Sequence, residues 1–503
     1  MKTGHSNTDA VISLDMGTSS VRACLVDESL RILFQRSVNV NLNSGFDGRA
    51  EQNVEEIIDA SLTCLADVNG WAAENSISPA GLCFSNAVGS LVVLDENDNP
   101  VGPALTWADT RSANEAENLK NHLGKELYTL TACPMNASYW MPKLLWLKNT
   151  GQLLGTAMRY CTLKDLLVLR LTGQFVTDAS NAAATGLRNA VSGAWDDFAL
   201  REVGITMQQL PRILDTTAVL PIIKNEYFSK TGLDDKIPVV LGATDGVLSS
   251  LGAGAFDQGQ VTSMIGTSGA CRMAASQPDV DDPRQRLWSY PLTDKIWIRG
   301  GAMTNGGLVT QWFAENFFKE ESEPLASMLN DAAKVEPGAR GVIFLPYLYG
   351  ERSPIYDEHA RGVFFGLHGS HTRAHMARAA LEGVMFALAT IFELLRDSVD
   401  QVKEVRATGG YVRSPLSLQI QADVFNFPVS VPENYEGSSI GAAALAFLAL
   451  GRFADLSPVR DAIKIDRVVE PNQDNQKIYA DQLMRFKEIY TRIAPLFRQR
   501  DVL

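Results

Sequence analysis

The chain has 503 residues, of which 45 are lysine or arginine and 58 are aspartate or glutamate, and its formal net charge at pH 7 is −13. This acidic balance argues against nucleic acid as the main partner, because binding to a phosphate backbone requires a basic surface. Hydrophobic residues make up 46% and charged residues 20% of the chain, which argues against a disordered protein. At roughly 150 residues per domain, the length predicts two to four domains.

The six cysteines are spread over the sequence, and no two of them form a Cys-x-x-Cys pair. So sparse a set favours reduced thiols over a disulfide scaffold. The first ten residues are polar and lack the apolar core of a signal peptide. The longest apolar run, residues 442–450, is too short to span a bilayer. We therefore expect a cytoplasmic protein without a membrane segment.

The first hundred residues have the character of an α/β sheet. The segment 54–68 has apolar residues at helical spacing and predicts a helix. Three strands, this helix and then further strands indicate a sheet of mixed direction, whereas a Rossmann unit would begin strand–helix–strand. The strands are predicted from β-branched and apolar runs at residues 10–15, 21–26, 31–40, 81–85, 90–94 and 101–107.

The second half of the chain starts the same pattern again. A strand at 260–265 ends in Gly266-Thr267-Ser268-Gly269, as the strand at 10–15 runs into Gly17-Thr18-Ser19-Ser20. Two such hairpins, about 250 residues apart, predict an internal duplication with a ligand between the halves. Two unrelated hairpins are the alternative, because a Gly-Thr-Ser turn is common.

Helices are predicted over most of the remaining chain. Their apolar residues recur at helical spacing in the segments 372–398, 416–424, 438–450 and 475–499. The segment 211–238, which begins and ends with proline, contains the best candidate for a linker between domains.

The first Gly-Thr-Ser turn is a candidate phosphate site. Gly17 permits a tight turn with exposed N–H groups, and Thr18 and Ser19 add hydroxyl groups, so the turn can hold phosphate oxygens. Asp15 at the strand end can hold Mg²⁺ directly or through water, and Arg22 on the second strand can reach a phosphate. A purely structural hairpin is the alternative for this motif considered alone.

The second Gly-Thr-Ser turn repeats this chemistry, and two such hairpins facing each other would hold a triphosphate from both sides. The glycine-rich segments 301–307 and 407–410 each precede a helix, where backbone can approach a flat ligand such as a nucleoside. Helix capping or close packing is the alternative for each glycine.

Asp245, in Gly242-Ala243-Thr244-Asp245-Gly246, stands at a predicted strand-to-helix junction. A carboxylate there can accept the proton of a substrate hydroxyl that attacks phosphorus. The alternative is a helix N-cap, for which aspartate is a favoured residue. The Walker phosphate loop, the dinucleotide fingerprint and the nucleophile elbow are absent from the sequence. His371 and His375 are four residues apart but lack the glutamate of a zinc protease helix.

Taken together, these motifs resemble the FGGY carbohydrate kinase family over nearly the whole chain. The resemblance implies an α/β fold of two actin-like, ribonuclease-H-like domains, with ATP, Mg²⁺ and a sugar or polyol in the interdomain cleft. It implies an acceptor-side domain at 1–250, a nucleotide-side domain at 251–470 and a helical tail at 471–503. The motifs that carry it are residues 15–20, 107–111 (Trp-Ala-Asp-Thr-Arg), 242–246, 266–269 and 407–410 (Ala-Thr-Gly-Gly).

The resemblance also implies roles for individual residues. Asp245 matches the catalytic base of the family, and Asp15 and Asp245 match the side that faces the metal. Positions for ATP and its phosphates are Gly17, Thr18, Ser19, Arg22, Gly266, Thr267, Ser268, Gly307, Gln311, Gly409, Gly410 and Ser414. Positions for the acceptor are Val88, Gly89, Trp107, Asp109, Arg111, Arg352 and Asp245 itself.

Within the family, the chain is most similar to the gluconokinase branch, on the strength of the segment 344–354 (Phe-Leu-Pro-Tyr-Leu-Tyr-Gly-Glu-Arg-Ser-Pro). Gluconate is therefore the expected acceptor, and Arg352 and Lys143 are the candidate partners of its carboxylate. Two departures fall on the acceptor side. Val88-Gly89 stands where these kinases usually have Met-His, and residues 136–140 (Asn-Ala-Ser-Tyr-Trp) stand where gluconokinases tend to have His-Pro-Met-Ser-Pro.

Two alternatives remain open at the level of the sequence. One is a pentulose or polyol kinase of the xylulose, ribulose, erythritol or glycerol type. The other is a catalytically silent sugar or nucleotide sensor of the same fold, against which the intact Asp15, Asp245 and both turns argue. A homodimer is expected, because members of the family are often dimers.

Overall fold

The protein is described from a computed structural model, which describes residues 9–152, 158–433 and 436–497. The chain forms two compact units. The first contains Met1–Phe256, Ala275–Ile298 and Glu436–Ile463, and the second contains Asp257–Ala274, Arg299–Tyr435 and Lys464–Leu503. Each unit is therefore built from separate stretches of the sequence. The domain limits at residues 250 and 470 that the sequence suggests stay a prediction.

The strands, in chain order, are β1 (Ala10–Met16), β2 (Ser20–Asp27), β3 (Ile32–Asn39), β4 (Asn43–Ser44), β5 (Ala50–Gln52), β6 (Pro79–Asn86), β7 (Val92–Leu94), β8 (Ala104–Leu105), β9 (Arg159–Cys161), β10 (Val176–Asp178), β11 (Arg212–Leu214), β12 (Val219–Pro221), β13 (Pro238–Thr244), β14 (Gln260–Ile265), β15 (Gly269–Ala275), β16 (Trp288–Pro291), β17 (Trp297–Met303), β18 (Ile343–Leu345), β19 (Val363–Phe365), β20 (Glu404–Thr408), β21 (Val429–Pro432) and β22 (Ile465–Val469).

The helices are α1 (Val54–Glu74), α2 (Ala113–Thr131), α3 (Trp140–Asn149), α4 (Leu163–Thr172), α5 (Ala179–Ala184), α6 (Asp197–Val203), α7 (Glu226–Ser229), α8 (Asp245–Gly252), α9 (Gly307–Phe317), α10 (Pro324–Ala333), α11 (Arg373–Arg396), α12 (Pro415–Phe425), α13 (Gly437–Ala449), α14 (Ser457–Ala462) and α15 (Gln476–Phe497). Short 3₁₀ turns lie at Met207–Gln209, Ala339–Gly341, Gly410–Arg413 and Gln473–Asn475.

The main sheet of the first unit has the strand order β12-β13-β6-β1-β2-β3. Strands β1, β6 and β13 run parallel, and β2 and β12 pair antiparallel with β1 and β13. β1 is buried along almost its whole length, as a strand covered on both faces must be. Alternate residues of β1 (Ala10, Ile12, Leu14 and Met16) join the apolar stripe of α1 in one core, and α13 packs against β1, β6 and β13.

The sheet of the second unit repeats this arrangement. Six neighbouring strands of this seven-stranded sheet follow the order β17-β15-β14-β20-β21-β22. β14, β20 and β21 run parallel, while β15 and β22 pair antiparallel with β14 and β21. The hairpins β1-β2 and β14-β15 thus occupy equivalent places in two sheets of the same order and direction. This repeat supports the predicted duplication.

Two sequence-based expectations about local structure were wrong. The predicted strand at 101–107 is reduced to the two residues of β8, because residues 95–103 form turns and only a short pairing with β5 remains. The segment 211–238 is not a linker between domains, since it contains β11, β12 and α7 and lies inside the first unit. Its Leu220, Ile222, Leu233 and Ile237 are buried in the core of that unit. Residues 498 and 499 of the predicted C-terminal helix lie outside the described residues.

Candidate active site

The site in the first unit is built on the ends of three neighbouring parallel strands. In the β1–β6 pairing Asp15 lies opposite Ser85, and in the β13–β6 pairing Thr244 lies opposite Asn86. Asp245 follows Thr244 directly and is the first residue of α8. Since all three strands run the same way, Asp15, Ser85 and Asp245 share one edge of the sheet. Ligands of open α/β sheets bind at this carboxyl edge.

The carboxylate of Asp15 is held by two hydroxyl groups. Ser85 Oγ donates to Asp15 Oδ1 at 2.7 Å, and Ser438 Oγ, from α13, donates to Oδ2 at 2.8 Å. A carboxylate oxygen keeps further lone pairs after accepting one hydrogen bond, so Asp15 can also accept a water molecule or a cation. Across residues 9–152, 158–433 and 436–497, no group of three or more His, Cys, Asp or Glu side chains could hold a metal ion.

The turn at residues 17–20 has the donors that a phosphate requires. Gly17 N–H closes it on Ser20 O at 3.0 Å, while the N–H groups of Thr18 and Ser19 have no acceptor in the part of the chain that the structure describes. Gln52 Nε2 stabilises the turn by donating to Gly17 O and Thr18 O at 3.3 and 3.0 Å. The predicted acceptor residue Trp107 donates through Nε1 to Thr18 Oγ1 at 3.1 Å.

Arg22 lies on β2 and forms an ion pair with Glu436, which belongs to the same unit. The sequence had predicted that Arg22 reaches a phosphate. Because its guanidinium group already has a carboxylate partner, phosphate binding by Arg22 requires that the anion compete with Glu436 or share the cation with it. The role of Arg22 stays a prediction.

Asp245 is half-buried at the start of α8. Its Oδ1 accepts the N–H of Gly246 at 2.6 Å. The alternative reading of Asp245 as the helix N-cap was wrong, because Thr244 is the N-cap and its side chain makes no capping bond. A carboxylate in the first turn is favoured by the positive end of the helix dipole, which stabilises the ionised form.

The position of α8 depends on a close approach to α13 through glycines. A Cβ atom added at Gly252 would lie 1.9 Å from Gly437 O, and one added at Gly441 would lie 2.0 Å from Leu248 O. Both distances are far below van der Waals contact, so only glycine allows this spacing. The packing of α8 on α13 therefore sets the position of Asp245, the first residue of α8. The same helix α13 also carries Ser438, which donates to Asp15.

The predicted acceptor residues Asp109 and Arg111 bind each other. Arg111 Nη2 lies 2.6 Å from Asp109 Oδ2 and 2.6 Å from Glu51 Oε1. Asp109 is 1% exposed, and its Oδ2 also accepts Ala50 N–H at 3.0 Å. The guanidinium group of Arg111 stacks 4.5 Å above the ring of Trp146. Both side chains shape this loop, and their contact with a substrate stays a prediction.

The other predicted acceptor residues lie on adjoining loops. Gly89 has φ +70°, and a Cβ atom there would lie 2.8 Å from Ser138 O and 3.6 Å from Trp107 Cβ. The segment with Val88 and Gly89 therefore contacts the segment 136–140. These are the two segments where the sequence was expected to depart from the gluconokinase pattern, and in the structure they are neighbours.

Lys143 was wrongly expected to pair with a substrate carboxylate. Its side chain is fully buried, and Nζ donates to Thr106 O at 2.6 Å, Ser138 O at 2.9 Å and Gly89 O at 3.3 Å. Burial lowers the pKa of Lys143 to about 7, while the nearby carboxylate of Asp109 opposes this shift. An ammonium group without exposed surface is not available to a ligand.

Several residues at this edge were missed by the sequence reasoning. Asn86, at the end of β6, exchanges two hydrogen bonds of 2.9 Å with Asn181. Asn181 Nδ2 in turn donates to Asp178 at 2.7 Å, and Asp178 caps α5. A signal was present for Ser85 and Asn86, because they are polar residues at the end of a buried apolar strand, as Asp15 is. Gln52 and Ser438 give no such signal.

The second unit contains the other Gly-Thr-Ser turn, at residues 266–269. Gly266 N–H closes it on Ser268 O at 2.9 Å. The N–H groups of Thr267 and Ser268 have no acceptor among the described residues. The turn also receives the start of α9, since Gly307 N–H donates to Gly266 O at 2.8 Å and Leu308 N–H donates to Thr267 O at 3.1 Å.

Two glycines make the contact between this turn and α9 possible. A Cβ atom at Gly306 would lie 2.4 Å from Ser268 O, and one at Gly307 would lie 2.5 Å from Gly266 O. Gly307, predicted to line the nucleotide, is thus required by packing against the turn. One helical turn further on, the predicted nucleotide residue Gln311 is exposed and donates to Glu315 at 2.6 Å.

The glycines after β20 differ in their surroundings. Gly409 has φ +95°, and a Cβ atom there would lie 2.5 Å from Ile265 O, whereas a Cβ atom at Gly410 has no heavy atom within 4 Å. Gly410 therefore borders open space, as a glycine beside a nucleoside would. Ser414, which was also predicted to line the nucleotide, is the N-cap of α12 and accepts Ser417 N–H at 3.2 Å.

Arg352 belongs to the second unit. Its Nη2 donates to Met303 O at 3.1 Å and its Nε donates to Thr304 Oγ1 at 3.3 Å. The neighbouring Glu351 accepts hydrogen bonds from Thr304 N–H and from Asn305 Nδ2. Burial raises the pKa of Glu351 above its ordinary value, and these donors act against that shift. The predicted contact of Arg352 with the acceptor stays a prediction.

Comparison with known proteins assigns both halves of the chain. The N-terminal domain model of the FGGY family of carbohydrate kinases matches residues 10–252, and the C-terminal domain model of that family matches residues 261–450. A gluconokinase of Bacillus subtilis is 36% identical over 97% of this chain and 98% of its own. No helix among the described residues has the length and apolar character that a membrane crossing requires.

Two solved structures are similar to the whole chain. A gluconate kinase from Lactobacillus acidophilus superimposes with a TM-score of 0.92 at 32% identity, over 98% of this chain and 99% of its own. A ligand-bound xylulose kinase from the same organism gives the same TM-score of 0.92, at 32% identity and the same coverage. With both family models matched in order, the chain belongs to the FGGY family of carbohydrate kinases, which are ATP-dependent sugar kinases with a two-domain, actin-like fold.

Proposed function

We propose that this kinase transfers the γ-phosphoryl group of ATP to a hydroxyl group of gluconate, with Asp245 as the general base. The observation that carries the proposal is the placement of Asp15, Ser85 and Asp245 at the carboxyl edge of β1, β6 and β13. Gluconate is chosen as the acceptor because of the 36% identity to a gluconokinase over nearly the full length of both chains.

In this proposal, Asp245 accepts the proton of the acceptor hydroxyl as its oxygen bonds to the γ-phosphorus. The bond between that phosphorus and the bridging oxygen of ADP breaks, so the products are a phosphate ester and ADP. A positioned carboxylate base contributes roughly 10²- to 10⁴-fold to such a step. Asp245 lies in the first turn of α8, where the positive end of the helix dipole favours negative charge.

The nucleotide phosphates have donors in each unit. Phosphate oxygens can bind to Thr18 and Ser19 in the first unit and to Thr267 and Ser268 in the second. The N–H groups of these four residues have no acceptor among the described residues, and their hydroxyls add further hydrogen-bonding groups. We assign Gly409 and Gly410 to the nucleoside side, where Gly410 borders open space. Ser414 and Gln311 keep their predicted place near the nucleotide.

We also propose that Mg²⁺ accompanies ATP and that Asp15 holds it, directly or through water. The fit is good for Mg²⁺, because this ion usually combines one or two carboxylates with waters and substrate phosphates. The lack of a cluster of three ligands among the described residues suits such a partial site. The ion would neutralise charge on the phosphates, and Asp15 is oriented for it by Ser85 and Ser438.

A pentulose acceptor is the second candidate. A ligand-bound xylulose kinase is as similar in structure as the gluconate kinase, and Val88-Gly89 with residues 136–140 alters the loops of the acceptor side. If the acceptor is gluconate, its carboxylate needs a cation, and Arg352 remains our candidate for that partner since Lys143 is buried.

A coupled assay of ADP release separates these possibilities. The panel contains gluconate, xylulose, ribulose, erythritol and glycerol with Mg²⁺ and ATP, and the Asp245→Asn variant serves as the matched inactive control. We expect kcat/KM for gluconate to exceed that for each neutral acceptor at least about tenfold. A preference for a neutral ketose would reject gluconate. Sugar binding without ADP from any acceptor would favour the silent sensor.

We further propose a cytoplasmic location and a homodimer. All six cysteines are free and buried, which suits a reducing compartment. Size-exclusion chromatography with light scattering tests the dimer, and cell fractionation tests the location. A monomer at assay concentration would remove the dimer from the proposal without affecting the assignment of the reaction.

A further inference from the structure

We infer that Lys143 is a positioning residue for the acceptor site, because its ammonium group binds together three loops, two of which carry predicted acceptor residues. The inference rests on the proposed function. It concerns how the acceptor side is assembled within the first unit and gives Lys143 no contact with the substrate.

The three loops converge on one atom. Lys143 Nζ donates to Gly89 O, Thr106 O and Ser138 O at 3.3, 2.6 and 2.9 Å. Gly89 belongs to the loop with Val88, Thr106 precedes Trp107, and Ser138 lies in the segment 136–140. Two loops with predicted acceptor residues and the segment 136–140, where the sequence was expected to depart from the gluconokinase pattern, thus contribute one carbonyl group each.

Other contacts show that these loops pack directly on each other. A Cβ atom at Gly89 would lie 2.8 Å from Ser138 O, so these two backbones already touch. Trp140 Nε1 donates to Ser90 O at 3.0 Å. Lys143 lies on α3, one helical turn after Trp140. The start of α3 therefore anchors the first loop twice, once through an indole and once through the ammonium group.

The chemistry of the group matches the number of acceptors. In its protonated form the Lys143 side chain has three N–H donors and no acceptor, and here three backbone carbonyl groups face it. Buried carbonyl groups that lose their donors carry a free-energy penalty, so the loops would separate or take up water if the ammonium were removed. The charged groups that influence Lys143 most are Asp109 and Arg111, and both lie on the loop that follows Thr106.

The expected consequence is selective for the acceptor. Trp107 follows Thr106, and its indole donates to Thr18, so displacement of this loop moves a predicted acceptor residue. The turn at 266–269 and Gly410, which we assign to the nucleotide, belong to the second unit, whereas Lys143 and the three loops belong to the first. Loss of the ammonium should therefore raise KM for the acceptor more than KM for ATP.

The test compares Lys143→Met with Lys148→Met. Methionine has a similar length and no donors, and Lys148 is an exposed residue on the same helix. In Lys143→Met we expect KM for the acceptor to rise about tenfold or more, since a misplacement of 1 Å can cost about 10²-fold. KM for ATP should change less than about twofold, and Lys148→Met should resemble wild type in both constants. Equal KM values for the acceptor in Lys143→Met and wild type would overturn the inference.

A second measurement covers the case in which Lys143→Met does not fold. Hydrogen–deuterium exchange of the wild-type enzyme, with and without the accepted sugar from the panel, should show joint protection of residues 87–90, 106–109 and 136–139. Protection confined to one of these segments would overturn the inference. If wild type phosphorylates no acceptor in the panel, the proposed function fails instead, so the two failures are distinguishable.

Discussion

Replacement of Gly441 by alanine tests whether the spacing of α8 and α13 sets the position of the base. The added Cβ would lie 2.0 Å from Leu248 O. Ordinary van der Waals contact begins at 3.4 Å, so the two helices must separate by about 3.4 − 2.0 = 1.4 Å or distort locally. Because Asp245 begins α8, three residues before Leu248, its carboxylate moves with that helix.

Two effects of Gly441→Ala are expected. Overpacking in a well-packed core destabilises by about 1–3 kcal/mol, which thermal or urea unfolding measures. A misplacement of catalytic groups by 1 Å can lower the rate about 10²-fold, so kcat at saturating ATP and acceptor should fall by about that factor.

Gly70→Ala is the control for this experiment. Gly70 lies inside α1, and a Cβ atom there has no heavy atom within 4 Å. This variant should be more stable by about 0.5–1 kcal/mol, because alanine is the better helix former, and its kcat should equal that of wild type. A Gly441→Ala enzyme with unchanged stability and kcat within twofold of wild type would refute the argument that this helix spacing positions Asp245.

Three further predictions follow from the sites. Asp245→Asn should lower kcat about 10³-fold, as measured by single-turnover kinetics. Its affinity for ATP, measured by calorimetry, should stay within about twofold of wild type. A variant that keeps more than a tenth of wild-type activity would show that another residue is the base. Gly306→Ala should raise KM for ATP, since its Cβ would lie 2.4 Å from Ser268 O. Gly70→Ala, which has open space around it in α1, should retain KM for ATP, and equal effects of the two substitutions would contradict the prediction. Burial raises the pKa of Cys133 and of Cys271 to about 12. At pH 8 these two thiols of the native enzyme should therefore not react with a disulfide reagent. Reaction of either thiol without unfolding would contradict their burial.

The sequence was most informative where chemistry and local structure share a short segment. Asp15 and Asp245 each follow a buried apolar strand within a few residues of glycine, and this pattern was enough to place both at strand ends. The repeat of strand, Gly-Thr-Ser turn and strand also predicted two sheets of the same construction. The part of the fold that follows from such local patterns could therefore be predicted from the sequence.

Contacts between segments that are distant in the sequence could not be predicted in this way. Ser438 reaches Asp15 across more than four hundred residues of sequence, and nothing in its surroundings distinguishes it from a serine in a helix. Lys143 was taken for a ligand of the substrate because a lysine pattern does not show what its nitrogen will meet after folding. The turns at 95–103 prevented most of the segment 101–107 from forming a strand, in spite of its strand propensity. The segment 211–238 has the composition of a linker, but its Leu220 and Ile222 are buried in the core.

The inclusion of Glu436–Ile463 in the first unit has a consequence for biosynthesis. The main sheet of the first unit is complete once β13 has been synthesised. The helix that covers it, α13, leaves the ribosome only much later, so the sheet stays uncovered until then. Until then, the surface against which Ile440, Leu445 and Phe447 will be buried is open to water and to other nascent chains. A fragment that stops at residue 256 should therefore be prone to aggregate, and binding by a chaperone would be most valuable during translation of the second sheet.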